Sequence, residues 1–145
     1  MRLTNYTDYS LRVLIYLASL EDGKLANIQE IADSYKISKN HLMKIIHNLG
    51  KKGYIYTIRG RNGGIKLAKT PAEINIGEVV RKTEDDFNIV NCFGDSPENH
   101  CILAPVCTLK NILGQALTAF IEVLDQYTLE DISHNPGMVF RMLRG

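Results

Sequence analysis

The chain has no cysteine outside one short loop, no acidic side chain between Asp33 and Glu73, and no apolar run longer than six residues. That longest run, residues 13–18, is far too short for a bilayer, which needs about 20. No membrane segment is therefore expected. The N-terminal stretch has no apolar core or small-residue cleavage site of a secretory signal. A cytoplasmic location is expected, where thiols stay reduced. The odd count of three cysteines speaks against a simple disulfide framework. No Ser/His/Asp pattern, phosphate-binding loop, internal repeat or low-complexity tract is present, and no segment is long enough for a separate substrate domain. An enzyme is not expected.

Hydrophobic residues make up 45% of the 145, enough for a core and against disorder. The length fits one domain, or one domain with a long appended helix. The net charge of +1 hides a division. Residues 1–70 carry 12 Lys+Arg and 5 Asp+Glu, whereas residues 71–145 carry 5 and 11. A basic half joined to an acidic half points to a polyanion met by the first half.

Apolar spacing predicts a helix over residues 6–20, with Leu11, Leu14, Ile15 and Ala18 on one face. Asn27 with Glu30 is a capping-box start for a short helix carrying Ile28, Ile31 and Ala32. Ser38 caps a second helix with Leu42, Ile45, Ile46 and Leu49 inward, ended by Gly53. Two β-rich stretches, 54–58 and 65–68, flank the glycine-rich turn 59–64 and predict a hairpin. A helix is expected over 76–83, then the cysteine loop. Residues 108–127 form a long helix of about 30 Å, and Thr128 with Asp131 opens a short one. The residues from His134 onward read as frayed. The expected fold is mainly α with a small β-hairpin wing. A winged helix-turn-helix domain (1–82) precedes a cluster-binding loop (83–107), a long dimerisation helix and a C-terminal tail (108–145).

Short helix, turn, capped helix and hairpin is the order of a winged helix-turn-helix. Opposite the core stripe of the second helix lie Asn40, Lys44, His47 and Lys51. Lys39, Asn40, His41 and Lys44 are candidates for base edges, since Asn suits adenine and Lys suits guanine. Ser38 stands at the start of that helix; Lys51 and Lys52 suit phosphates. In the hairpin turn Arg59, Arg61, Asn62, Gly63 and Gly64 form a small basic tip that fits a narrow minor groove. The acid-free stretch 34–72 holds nine Lys+Arg, unusual for an ordinary solvated surface.

Cys92, Cys101 and Cys107 are spaced C-x8-C-x5-C. Three clustered thiolates suit a metal site and leave a tetrahedral sulfur set one ligand short. Candidates to complete it are Asp8, Asp95, Glu98, His100 and His134. An iron–sulfur centre so held is open at one corner to small reactive molecules. The competing possibility is a structural zinc site in a DNA-binding protein without a switch. Zinc cysteines usually stand two to four residues apart, and these intervals are wider.

With these pieces in place, the chain resembles the winged-helix iron–sulfur regulators of bacteria, and among them the nitric-oxide-sensing repressors. The stretches that carry the resemblance are residues 1–9 (MRLTNYTDY), 38–42 (SKNHL), 59–65 (RGRNGGI), the three-cysteine loop and 127–129 (YTL). The resemblance implies a homodimer on a palindromic double-stranded DNA operator and repression of nitric-oxide detoxification and nitrosative-stress genes. It implies a 4Fe-4S cluster on Cys92, Cys101 and Cys107, whose attack by nitric oxide abolishes operator binding, with Asp8 of the other subunit as the remaining ligand. A sister group that regulates cluster biogenesis uses a histidine three residues after its last cysteine. Here that position is Lys110.

Overall fold

The structure is a computed structural model that describes residues 1–99 and 101–145. Helix α1 (Asn5–Ala18) starts where Thr4 accepts the Thr7 N–H, at 3.3 Å. Its buried side chains are Thr7, Ser10, Val13, Leu14, Tyr16 and Leu17. The single stripe of Leu11, Leu14, Ile15 and Ala18 is thus only partly right: Leu11, Ile15 and Ala18 are half-buried. The reason is packing. Helix α1 is flanked on several sides, and one stripe of a 3.6-residue period cannot serve them all.

Helix α2 (Ile28–Tyr35) carries the expected Asn27–Glu30 capping box. It ends at Lys36 in the left-handed region, φ 54°. Helix α3 (Lys39–Lys51) starts at Ser38, whose hydroxyl accepts the His41 N–H at 3.2 Å. It buries Leu42, Ile45, Ile46 and Leu49. Strands β1 (Ile55–Ile58) and β2 (Gly64–Leu67) pair antiparallel with Ile55 opposite Leu67 and Ile58 opposite Gly64. The wing is also tied to the segment before α2. Ala26 and Ile65 exchange two backbone hydrogen bonds, at 3.0 and 2.8 Å. A Cβ on Gly64 would stand 2.7 Å from the Ala26 carbonyl oxygen, so this close approach requires glycine.

Helix α4 (Ile76–Thr83) matches its expected span. Helix α5 (Thr108–Asp125) has no buried residue. Leu113, Leu117, Ile121 and Leu124 are half-buried at helical spacing, while Leu109, Ile112, Phe120 and Val123 are exposed. Helix α6 (Leu129–Ile132) opens on the Thr128–Asp131 capping box. Its Leu129 is fully buried in the same core as Leu14, Ile31, Leu42, Ile65, Ile74 and Val79.

The tail is not frayed. Asn135 caps a seventh helix, α7 (Pro136–Arg144). Leu143 packs on the core, and Arg144 lies 3.9 Å from Glu30 of α2. Proline at the first helical position is compatible with a start, and the inward residues Val139, Phe140 and Leu143 give α7 a face to bury.

Helices α4 and α5 are joined at Asp125. Its carboxylate takes a bidentate ion pair from Arg81, and its carbonyl oxygen accepts Asn75 Nδ2 at 2.7 Å. The guanidinium holds the Asp125 carboxyl below its ordinary range. No helix among the described residues is long and apolar enough to cross a membrane.

Candidate nucleic-acid interface and metal centre

Lys39, at the start of α3, lines one cleft with Thr57, Ile58, Gly60 and Gly63 of the wing. Burying Leu42, Ile45, Ile46 and Leu49 fixes the rotation of α3, which turns Lys39, Asn40, His41, Lys44, His47 and Lys51 outward. Lys52 caps the C-terminal end and is exposed. Ser38 is engaged as the helix cap, so its contribution to the surface is the orientation of the first turn. Met43 also lies on this face, 50% exposed among Asn40, Lys44 and His47. Hydrophobic patterning misses it because an apolar residue in a helix is counted with the core. The signal was available: position 43 is i+3 from Asn40 and i−4 from His47, on the same outward stripe.

At the wing tip Arg59, Arg61 and Asn62 are exposed, and Gly63 and Gly64 are half-buried beneath them. Among the described residues, Lys39, Lys44, Lys51, Lys52, Arg59 and Arg61 take part in no ion pair. Six exposed, uncompensated cations on α3 and the wing suit a phosphate backbone. Ala26 and Ile65 fasten the wing beside the start of α2, so its distance from α3 is set by backbone hydrogen bonds.

The three cysteines are free thiols. Cys92 is half-buried in a 3-10 turn, Asn91–Phe93, whose Phe93 ring packs beside Gly114 of α5. Cys101 is exposed. Cys107 is half-buried and caps α5, its Sγ accepting the Lys110 N–H at 3.4 Å. A sulfur at a helix start faces free N–H groups that favour negative charge there. Lys110 thus serves the loop through its backbone, whatever its side chain does.

Among the described residues no three His, Cys, Asp or Glu side chains converge on a single metal ion. The donor chemistry fits an iron–sulfur group: three unoxidised thiols in one segment, with one sulfur already hydrogen-bonded by backbone N–H.

The candidates for a further ligand are dispersed. Asp8 lies in the first turn of α1, paired with Arg12: Nε donates at 3.0 Å and Nη2 stands at 2.9 Å. The Arg12 guanidinium also lies over the Tyr9 and Tyr35 rings. Asp95 and Glu98 are exposed within the loop. His134 Nδ1 is 2.7 Å from the Asp131 carbonyl oxygen. His100 lies outside the described residues. The start of α1 is tied to the start of the loop. The Thr4 N–H and hydroxyl both donate to Glu84 Oε1, at 2.8 and 3.0 Å.

A basic reading helix, a braced wing and an exposed apolar helix define a winged helix-turn-helix DNA-binding regulator. The chain belongs to the Rrf2 family, described as iron-dependent transcriptional regulators, which it matches over residues 3–135. It is 63% identical to the HTH-type transcriptional regulator NsrR of Bacillus licheniformis over 143 residues, 99% of each chain. It is 60% identical to NsrR of Bacillus subtilis over 144 residues, 99% of this chain and 98% of that one. The structure of CymR, the global cysteine regulator of Bacillus subtilis, superposes with a TM-score of 0.72 at 25% identity, covering 92% of this chain and 97% of that one. The protein is a DNA-binding transcriptional regulator, not an enzyme.

Proposed function

We propose that the protein is a homodimeric, cytoplasmic repressor that binds a palindromic operator and releases it when nitric oxide attacks a 4Fe-4S cluster. Cys92, Cys101 and Cys107 hold the cluster, and Asp8 of the partner subunit completes it. When bound, the cluster supplies iron–thiolate bonds that nitric oxide can break. One observation carries the proposal. The loop holding the three thiols runs between α4, which closes the DNA-reading unit, and α5, whose outer face is apolar and exposed.

The residues do the mechanical work. Leu109, Ile112, Phe120 and Val123 pair with their copies across a two-fold axis. That axis sets the spacing of two α3 helices, so half-sites lie about 10 base pairs apart or a multiple. Asp8 exchanges Arg12 for a ligand role, which ties α1 to the partner's loop. Loss of that tie frees α1, and through the Thr4–Glu84 bonds the loop. A shift of about 3 kcal/mol between two arrangements suffices for a roughly 100-fold loss of operator affinity.

Anaerobic purification with iron and sulfide analysis tests the cofactor, and operator binding by the holo, apo and nitric-oxide-treated forms tests the switch. Visible absorbance with about four irons per chain is expected, with tight binding by the holo form alone. A colourless zinc protein, or equal affinity in all three forms, would defeat the proposal.

A further inference from the structure

The five residues between Cys101 and Cys107 are Ile102, Leu103, Ala104, Pro105 and Val106, without one polar side chain. The other interval, residues 93–100, contains Asp95, Ser96, Glu98, Asn99 and His100. The thiols therefore have a polar stretch on one side and a wholly apolar one on the other. The apolar stretch is folded. The Ala104 N–H donates to the Cys101 carbonyl at 3.0 Å and the Val106 N–H to the Leu103 carbonyl at 3.0 Å, around the 3-10 turn Ala104–Val106. It is also exposed: Ile102 by 93%, Leu103 by 59% and Val106 by 80%. A contiguous apolar patch on an ordered turn marks a contact that water is meant to leave.

The ligands themselves say what lies beside it. Ile102 adjoins Cys101, Val106 adjoins Cys107, and Leu103 is two residues from Cys101. An extended chain covers at most about 3.6 Å per residue. A group held by both sulfurs is therefore within roughly 10 Å of all three side chains.

We infer that Ile102, Leu103 and Val106 form an apolar wall over the iron–sulfur centre, which admits small uncharged effectors and excludes charged reagents. This rests on the three thiols being iron–sulfur ligands, as proposed above. Its physical basis is desolvation: a charged molecule entering an apolar layer loses its water without compensation, whereas an uncharged diatomic has little hydration to lose.

The test uses the full-length, anaerobically purified protein and two probes. One is nitric oxide; the other is bathophenanthroline disulfonate, a dianionic iron chelator. Leu103→Gln and Val106→Thr should keep iron content, visible spectrum and dimeric state. They should speed iron loss to the chelator by about ten-fold or more while changing the nitric-oxide rate by less than about two-fold. Leu103→Met and Val106→Ile should keep the wild-type chelator rate, which separates polarity from shape. Equal acceleration with both probes, or none with the chelator, overturns the wall. Monomeric polar variants in light scattering also overturn it, because the patch would then be a subunit contact. A wild-type protein without iron or sulfide removes the cluster itself. That result is distinguishable from a wall failure in a cluster-bearing protein.

Discussion

Replacing Gly63 by alanine tests whether the wing's shape, rather than its charge alone, holds the DNA. A Cβ on Gly63 would overlap the Ile58 carbonyl oxygen, and would stand 2.9 Å from the Gly60 oxygen and 3.0 Å from the Arg59 carbonyl carbon. All three neighbours are backbone, so no rotamer change relieves the crowding. The Gly63 N–H to Gly60 carbonyl bond, at 3.0 Å, closes this turn and must lengthen. Crowding of this kind costs about 1–3 kcal/mol. Much of that is absorbed by opening a hairpin of two four-residue strands, so the melting temperature should fall by only a few degrees. Arg59 and Arg61 flank the displaced segment and lose their position at a narrow minor groove. The expected loss of operator affinity is about 10- to 100-fold, or about 1.4–2.7 kcal/mol. Fluorescence anisotropy at one fixed salt concentration measures it, with the Arg59→Ala, Arg61→Ala double variant alongside. The alanine variant should approach the double variant while keeping both charges. Wild-type affinity in Gly63→Ala would show that charge near the DNA is enough and would refute the shape requirement.

Asn40→Ala should cost about 1–3 kcal/mol on the operator and relax base preference, whereas Lys52→Ala should weaken all sequences alike and reduce the salt slope by about one; equal effects on all sequences would remove Asn40 from base readout. Ile112→Glu with Phe120→Glu should turn a dimer into a monomer at micromolar concentration, read by light scattering, because a buried like-charged pair of carboxylates cannot be accommodated. Asp8→Ala should keep a cluster on three cysteines but alter its visible spectrum and nitric-oxide response; an unchanged spectrum and response would leave Asp8 as the partner of Arg12 only. Burial pushes the Tyr35 hydroxyl up to about 12, so the folded state holds that proton more tightly than the unfolded one. The stabilisation is full below about pH 10 and is lost as pH rises toward about 12. Thermal unfolding of Tyr35→Phe should be less sensitive to pH across that window than the wild type.

Capping chemistry made much of the fold legible. Asn27–Glu30, Ser38 and Thr128–Asp131 each start a helix where a side chain satisfies a free N–H, and such pairings are local in sequence. The hairpin was legible because a glycine-rich turn, residues 59–64, separates two stretches rich in β-formers. Helix α7 was not: its inward residues have meaning only once α1 and α2 offer a surface, which is a long-range fact. The shifted face of α1 has the same origin, since a central helix serves several neighbours and blurs its own period. For the outward face of α3, charge located Lys39 and Lys44 and helical spacing placed Asn40 beside them, but Met43 was hidden by its apolarity. The Asp8–Arg12 pair stood at a simple i, i+4 spacing and was open to view. The thiol loop is the reverse case. Its cysteines are plain in sequence, yet among the described residues no three His, Cys, Asp or Glu side chains converge on one point; under the proposal above, closing the site is the work of the group itself or of a second chain.

The Thr4–Glu84 bonds join residues 80 positions apart. During synthesis Thr4 leaves the ribosome first, and at about 5–20 residues per second it waits about 4–16 seconds for Glu84 to be made. Through that interval the first turn of α1, with Asp8 in it, is held only by local contacts, the Thr4 cap and the Asp8–Arg12 pair. Glu84 also opens the segment that carries the cysteines, so the tie between α1 and that segment forms only as the chain reaches the thiols. Order of translation thereby delays the α1 anchor, and Leu129 of α6 joins the core only after all three cysteines have been made.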